Sequence, residues 1–184
     1  MDVFHWVAPF YDRVLRFSDP TKLLALLGLE PEHRLLDVGG GTGRVTSFLE
    51  EHVTQACVVD ASMGMLLQAR EKGLCAYQGV VEQLPFPDGV FDRILIVDAF
   101  HHFRDWPWAA GELLRVLKCG GRIVVEEPDI RFGAVKLIAF AERLLLMRSR
   151  FYAPLDLAEL FDSAGGRVKL HEDGGGIFWA VVEQ

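Results

Sequence analysis

The sequence predicts an α/β protein built on a doubly wound, mostly parallel sheet with an antiparallel C-terminal strand pair. Short apolar runs alternate with helical patterns between residues 34 and 126, which is typical of parallel sheets covered by helices on both faces. A glycine-rich loop follows the first run, as it does at the ligand-binding edge of such sheets. The link Asp173-Gly174-Gly175-Gly176 joins the last two runs tightly, which favours an antiparallel pair.

Seven runs of this kind predict the strands, because each is short, apolar and bounded by a turn or a helix. The parallel strands are predicted at Arg34–Val38, Ala56–Asp60, Leu74–Gln78, Arg93–Asp98 and Arg122–Glu126, and the antiparallel pair at Arg167–His171 and Ile177–Val182. The chain has 184 residues, without a linker or a repeat, and this length suits one domain. We therefore predict a single domain over residues 1–184.

Helical patterns fill the intervals between these strands. Asp19-Pro20 is a typical helix start, with a capping side chain before a proline at the first helical position, and Gly28 and Gly73 are typical stops. The predicted helices cover about residues 9–17, 20–28, 44–52, 62–72, 108–118, 133–148 and 154–164. Residues 1–30 are thus expected to form N-terminal helices in front of the sheet.

The composition argues against several classes of partner. The formal net charge is −7, whereas duplex-binding proteins usually carry a basic excess that releases counterions from phosphates. Cys57, Cys75 and Cys119 match no metal-ligand spacing, and we predict reduced thiols without a metal site. The chain shows no signal-peptide pattern and no apolar run of the ~20 residues that a membrane span needs. We expect a cytoplasmic protein without nucleic acid or integral membrane association.

The glycine-rich loop carries the most information about function. The segment Leu36-Asp37-Val38-Gly39-Gly40-Gly41-Thr42-Gly43 follows a strand and precedes a helix, and its glycines let the backbone approach a ligand closely. Asp60 ends the next strand and is placed to accept hydrogen bonds from the two ribose hydroxyls of an adenosine. Asp37 places a carboxylate just before the loop, where it can hold a cationic amino group.

A dinucleotide such as NAD and S-adenosylmethionine are the two cofactors that the glycine loop and the aspartates could bind. A dinucleotide site needs Gly-x-Gly-x-x-Gly, because the pyrophosphate binds at the helix N-terminus. Counted from Gly39 the last position is Arg44, and counted from Gly41 it is Thr46, so the third glycine is missing in both registers. S-adenosylmethionine (SAM) carries an adenosine and a cationic amino group but no phosphate. The loop, Asp37 and the later aspartate therefore favour SAM over NAD.

The loop resembles the SAM-binding signature of class I methyltransferases. Further segments resemble the ubiquinone and menaquinone biosynthesis methyltransferases: Ala8–Asp12, Glu82–Asp92, Ala99–Phe103 and Glu112–Gly121. The resemblance runs from about Pro9 to Val125. It implies a Rossmann-like class I methyltransferase fold, SAM as cofactor with S-adenosylhomocysteine as product, and a small-molecule methyl acceptor whose identity the motifs do not define.

The resemblance also implies which residues form the cofactor site. Tyr11 resembles the family tyrosine that closes over the cofactor, while Asp98 and Ala99 are expected to offer backbone groups to its methionine end. Val80 stands where the family usually has an acid that meets the adenine amino group, so adenine recognition is expected from backbone groups of the two following residues. The expected cofactor-binding set is Tyr11, Asp37, Gly39, Gly40, Gly41, Thr42, Gly43, Asp60, Ala61, Met65, Val81, Glu82, Asp98 and Ala99.

His101 and His102 are the candidate catalytic residues. They follow the fourth strand at the rim where ligands bind, and histidine titrates near neutrality. One of them can act as a base or orient the substrate through a hydrogen bond, and a pair that only braces the loop is the structural alternative. Residues 131–153 are expected to be an insertion that covers the active site, and their aromatic and aliphatic side chains predict an apolar pocket.

We therefore predict methyl transfer from SAM to a small, apolar or aromatic molecule. In-line attack on a sulfonium methyl group needs mainly proximity and alignment, so a conspicuous catalytic constellation is not required. Two alternatives stay open at this point: a non-catalytic SAM-binding or partner-binding protein with the same fold, and an NAD-dependent oxidoreductase. Formation of a homodimer is also left open.

Overall fold

The computed structural model describes residues 20–133, 135–136, 150 and 153–184. Within this part, seven strands form one sheet in the order β3-β2-β1-β4-β5-β7-β6. They are β1 (Arg34–Val38), β2 (Gln55–Asp60), β3 (Cys75–Gln78), β4 (Phe91–Val97), β5 (Leu117–Pro128), β6 (Arg167–Glu172) and β7 (Ile177–Glu183). Strands β1 to β5 pair in parallel, and β7 runs antiparallel to both β5 and β6. The predicted fold class is confirmed.

Helices connect or flank the strands. In the described residues the α-helices are α1 (Pro20–Leu27), α2 (Thr46–Leu49), α3 (Met63–Glu71), α4 (Trp106–Val116) and α5 (Pro154–Ser163), and two 3-10 turns cover Glu50–His52 and Phe100–His102. The helix predicted at residues 9–17, with Tyr11, lies outside the described residues. Most of the insertion predicted at 131–153, including residues 137–148 of the helix predicted at 133–148, also lies outside them.

The continuous apolar runs arise because both faces of the sheet are covered. Successive side chains of a strand point to opposite faces, so Leu35 packs in one layer with Leu23 and Leu27 of α1. Leu36, the next residue of β1, packs in the other layer with Leu113 of α4. Each buried strand therefore needs apolar residues in succession rather than in alternation.

The strand–helix junction before β5 differs from the prediction. The helix ends at Val116 rather than at 118, and β5 begins at Leu117. Leu117 is buried and pairs with Phe91 of β4, while a register shift follows between Phe91 and Arg93. Tertiary pairing thus ends the helix earlier than the Gly120-Gly121 signal, and these glycines lie within a strand irregularity.

The segment that follows Val81 is fastened to α4 by polar contacts. Arg115 donates to the Phe86 carbonyl oxygen at 2.9 Å and to Asp88 Oδ1 at 2.7 Å, and it pairs with Glu112 at 2.6 Å. Glu112 Oε2 in turn accepts from the Leu84 amide at 3.0 Å. Two of the segments that carry the family resemblance therefore hold each other in place beside the site described next.

Candidate cofactor and active site

A cavity lies where the strand order changes direction. Strands β2 and β3 lie on one side of β1, and β4 and β5 lie on the other. Doubly wound sheets bind ligands at the carboxyl ends of the strands beside such a switch point. The cavity has a volume of about 470 Å³, within the range of small-molecule sites. Its walls come from the segments after β1, β2, β3 and β4.

Most of the residues predicted from the sequence line this cavity. They are Asp37, Gly39, Gly40, Gly41, Thr42, Asp60, Ala61, Met65, Val81, Glu82, Asp98, Ala99 and His102. Gly43 and His101 are not among the lining residues, and Tyr11 lies outside the described part of the chain. Among the described residues, the lining also includes ten that were not predicted: Val38, Arg44, Val45, Val59, Ser62, Gly79, Val80, Val97, Phe103 and Arg104.

Gly41 is one of the loop glycines that line the cavity. Its φ is +55°, and those of Gly39 and Gly43 are +72° and +69°, a left-handed region that glycine adopts without steric cost. A carbon atom added to Gly41 would stand 3.9 Å from Asp60 Oδ2 and 3.9 Å from Met65 Sδ. Both of these residues line the cavity, so the missing side chain leaves space on the ligand side.

Gly43 closes the glycine loop and packs against a neighbouring segment. Its amide donates to the Gly40 carbonyl oxygen at 2.9 Å, which closes the loop into a turn. A carbon atom added to Gly43 would collide with the side chain of Leu74. Gly43 therefore allows close packing of the loop against the chain that leads into β3, and it is a packing residue in this structure.

Asp60 ties the end of β2 to the glycine loop. Its Oδ2 accepts from the Gly41 amide at 3.0 Å, and its Oδ1 accepts from the Ser62 amide at 2.7 Å. A carboxylate offers about four acceptor positions over its two oxygens. Asp60 is thus held in one orientation on the cavity wall.

Asp37 is a buried carboxyl group on the cavity wall, with 1% of its surface exposed. Thr46 Oγ1 donates to its Oδ2 at 2.5 Å, whereas Oδ1 is buried without a hydrogen-bond partner among the described residues. Burial raises the pKa of Asp37 to about 7, although the Thr46 hydrogen bond opposes this shift. A buried acceptor without a partner is costly, and a cationic group at Oδ1 would satisfy it.

The backbone after β4 is largely engaged within the fold. The Asp98 amide donates to the Glu126 carbonyl oxygen at 2.9 Å, and the Ala99 amide donates to Glu127 Oε1 at 2.9 Å. The Ala99 carbonyl oxygen accepts from the His102 amide at 3.0 Å. The N–H groups of Asp98 and Ala99 are therefore both used within the fold. The backbone groups with which these two residues can still bind a ligand are their carbonyl oxygens, each of which has two lone pairs.

The two histidines have different surroundings. His101 is buried outside the cavity lining, and its Nδ1 lies 2.6 Å from Glu127 Oε2, within hydrogen-bond distance. His102 lines the cavity, with its ring centroid 4.0 Å from that of His101. Burial, together with the neighbouring His101, lowers the pKa of His102 to about 3. This differs from the expected near-neutral titration, and a neutral imidazole of this pKa is a weak base that can still form hydrogen bonds.

Glu127 is a residue of the site that the sequence analysis missed. It is buried at the end of β5 and accepts hydrogen bonds from the turn that carries both histidines. The available signal was Glu126-Glu127, two acids in succession after the apolar run Ile123-Val124-Val125. Acids at the carboxyl end of a buried strand lie at the ligand-binding edge and need partners there.

Comparison with known proteins agrees with this geometry. A family model described as a methyltransferase domain matches residues 36–125. A demethylmenaquinone methyltransferase of Thermus thermophilus is 37% identical over 157 aligned positions, which cover 75% of this chain and 71% of that protein. The chain belongs to the class I SAM-dependent methyltransferases of the ubiquinone/menaquinone type.

Two further matches extend over most of the methyltransferase. The ubiquinone/menaquinone biosynthesis C-methyltransferase UbiE of Cupriavidus taiwanensis is 26% identical and is covered over 89% of its length, with 92% of this chain. A chain in the complex between the Haloferax volcanii Trm112 methyltransferase activator and a methyltransferase superposes with a TM-score of 0.89. This match covers 100% of the present chain and 98% of the other at 18% identity, so the likeness concerns the fold alone.

Family membership decides between the alternatives left open by the sequence. The protein is a SAM-dependent methyltransferase. This interpretation is favoured over the two alternatives, an NAD-dependent oxidoreductase and a non-catalytic binding protein. Within the part of the methyltransferase that is described, no helix combines the length and the apolar character required to cross a membrane.

Proposed function

We propose that the methyltransferase holds SAM in the cavity between β1 and β4 and transfers its methyl group to a small apolar or aromatic molecule. The observation that carries this proposal is Asp37, which lines the cavity and whose buried Oδ1 has no hydrogen-bond partner among the described residues. A cationic amino group would supply the hydrogen-bond donor that this atom lacks. Asp60, the carboxylate proposed to accept hydrogen bonds from the ribose of the adenosine, lines the same cavity.

The lining residues fit the parts of SAM one by one. Asp37 would hold the amino group, and Asp60 would accept from the ribose hydroxyls. The Glu82 side chain accepts from the Arg104 and Asp105 amides at 2.8 Å and 3.2 Å, so its backbone, with that of Val81, is the part left for adenine. When bound, SAM supplies a methyl group on a sulfonium, which leaves readily once a nucleophile is aligned with it.

The acceptor side of the cavity supports an aromatic substrate. His102 and Phe103 line the cavity beside Asp98, and the relatives are demethylmenaquinone and ubiquinone/menaquinone methyltransferases. We therefore favour a reduced quinone ring. Neutral His102 would orient a ring hydroxyl by a hydrogen bond rather than remove its proton, because its pKa is about 3. The acceptor is then expected to arrive ionised or as a neutral nucleophile.

Two measurements test this function. Titration calorimetry with SAM, S-adenosylhomocysteine and NAD should show binding of the first two only, and absence of SAM binding would contradict the cofactor site. Release of S-adenosylhomocysteine is then followed with short-chain demethylmenaquinone, oxidised and chemically reduced, and with histamine as an unrelated amine acceptor. We expect turnover with the reduced quinone. Turnover with histamine alone would contradict the proposed substrate class.

SAM affinity should fall as the pH is lowered, because protonated Asp37 cannot pair with a cation. With a pKa of about 7 in the unliganded protein, Asp37 must lose a proton below this pH before it binds the amino group. Affinity should decrease by roughly tenfold between pH ~7.5 and ~6. Calorimetry across this range measures it. In Asp37→Asn the affinity should be weaker and independent of pH, and an equally flat profile in the wild type would exclude this role.

His102→Ala should lower turnover of the reduced quinone by about tenfold, as expected for the loss of one orienting hydrogen bond. SAM affinity should stay within about threefold of wild type. The pH profile above pH ~5 should keep its shape, since the His102 ionisation lies well below this range. Disappearance of an ionisation near neutrality in the variant would instead indicate a general base.

A further inference from the structure

We propose that Glu127 is a positioning residue of the active site, which sets the orientation of His102 through His101 and the turn between them. Glu127 does not line the cavity, so it acts on the reaction only through these neighbours. The inference rests on the proposed function in one respect, namely that the His102 side of the cavity receives the methyl acceptor.

Three donors of one short segment converge on the Glu127 carboxylate. Oε1 accepts from the Ala99 amide at 2.9 Å and from the Phe100 amide at 2.7 Å. Oε2 lies 2.6 Å from His101 Nδ1, which we take as the donor to this oxygen. Glu127 is 4% exposed. Because three hydrogen bonds meet on one buried side chain, Glu127 fixes both the backbone of the turn and the plane of the His101 ring.

The constraint on His101 passes directly to His102. The two residues share the 3-10 turn Phe100–His102, which is closed by the hydrogen bond from the His102 amide to the Ala99 carbonyl oxygen. Their ring centroids are 4.0 Å apart with an angle of 50° between the planes. Glu127 holds the His101 ring in place, and the His102 ring packs against this ring. The His102 ring is therefore supported by His101 and lines the cavity.

The same turn also receives Arg150. The Arg150 amide donates to the His101 carbonyl oxygen at 2.9 Å, and its guanidinium carbon lies 5.4 Å from the centroid of the Trp106 ring. Arg150 belongs to the stretch 131–153 that the sequence predicts to cover the active site. Glu127, His101 and Arg150 thus connect β5 to the chain on the acceptor side.

The preceding residue provides a matched control. Glu126 is also 4% exposed, but successive side chains of a strand point to opposite faces. Its Oε2 accepts from Trp179 Nε1 at 2.6 Å on the other side of the sheet. Glu126→Gln and Glu127→Gln therefore make the same substitution at adjacent buried positions whose side chains point to opposite faces of the sheet. The hydrogen bonds of Glu127 are the ones made to the histidine turn.

The test compares Glu127→Gln, Glu126→Gln and wild type. Glutamine at 127 keeps an oxygen for the two amides but presents its NH₂ group to His101, which must then offer a lone pair at Nδ1. We expect ¹⁵N spectra to show the His101 proton moving from Nδ1 to Nε2 and the His102 ring signals shifting. With reduced short-chain demethylmenaquinone, kcat should fall about tenfold, while the SAM Kd stays within about threefold. Glu126→Gln should show neither change.

Unchanged His102 signals together with wild-type kcat in folded Glu127→Gln would overturn the proposal, and so would an equal loss of kcat in Glu126→Gln. If Glu127→Gln does not fold, the wild-type spectrum decides, because the proposal requires the His101 proton on Nδ1 and a proton on Nε2 alone would overturn it. If the wild type binds SAM but does not turn over the quinone, the proposed substrate fails, and the histidine spectra still decide the role of Glu127.

Discussion

Gly41→Val is expected to abolish measurable SAM binding. The φ of Gly41 is +55°, which is a genuine outlier conformation for a β-branched residue. The added side chain would start 3.9 Å from both Asp60 Oδ2 and Met65 Sδ, so its methyl groups would extend into space that the loop leaves for the ligand. Titration calorimetry with SAM and S-adenosylhomocysteine measures the loss, and circular dichroism shows whether the variant is folded.

Gly174→Val separates backbone strain from blockage of the site. Gly174 lies in the connection between β6 and β7 with a φ of +73°, and a carbon atom added there meets nothing within 4 Å. Its valine should carry a similar strain, on the order of 1–3 kcal/mol, far from the cavity. Both variants should therefore lose thermal stability, but only Gly41→Val should lose SAM. Normal SAM binding by Gly41→Val would show that the loop is not part of the site.

Asp60→Ala is expected to weaken SAM binding by roughly ten- to a hundredfold, corresponding to about 1.5–3 kcal/mol for hydrogen bonds to a charged group. The substitution removes the acceptor of the ribose hydroxyls. It also releases the Gly41 and Ser62 amides, which Asp60 holds at 3.0 Å and 2.7 Å. The measured loss therefore contains a contribution from the ligand and one from the loop.

A ligand analogue separates these two contributions. 2′-Deoxy-S-adenosylhomocysteine lacks one of the hydroxyls that Asp60 is proposed to bind, so it should bind wild type more weakly than S-adenosylhomocysteine does. In Asp60→Ala the two ligands should bind with nearly equal affinity, because the partner of the missing hydroxyl is gone. This is the coupling that a double-mutant cycle measures. An undiminished preference for the hydroxylated ligand would assign ribose recognition to another residue.

The fold was predictable because its signals are local. β1 was predicted at its observed limits, Arg34–Val38, from an apolar run that ends in glycines. The start of β5 was not, since Gly120-Gly121 is a common helix stop, whereas the strand begins at Leu117 through its pairing with Phe91. That pairing joins residues far apart in the chain, so it cannot be predicted from the sequence of the helix alone.

Some residues of the candidate site were predictable from local signals, and others depend on contacts between distant parts of the chain. Asp37 is the penultimate residue of β1 and Asp60 is the last residue of β2, so their place on the cavity wall follows from the order of elements. The role of Glu127 depends on contacts with residues 26 to 28 positions earlier, which no short motif encodes. The lowered pKa of His102 results from burial, and the depth of a side chain within a turn is not visible in residue order.

The position of β7 has a consequence for synthesis on the ribosome. β6 leaves the ribosome first, yet in the described sheet its neighbour is β7, which lies between it and β5. Until β7 emerges, β6 remains a nascent strand without its partner. Unpaired strands invite pairing with other chains, and charged side chains discourage it. The exposed side chains of β6 include the charged residues Arg167, Lys169 and Glu172. These charges discourage pairing with other chains at the edge of the folded sheet, and they do the same for the nascent chain before β7 has been synthesised.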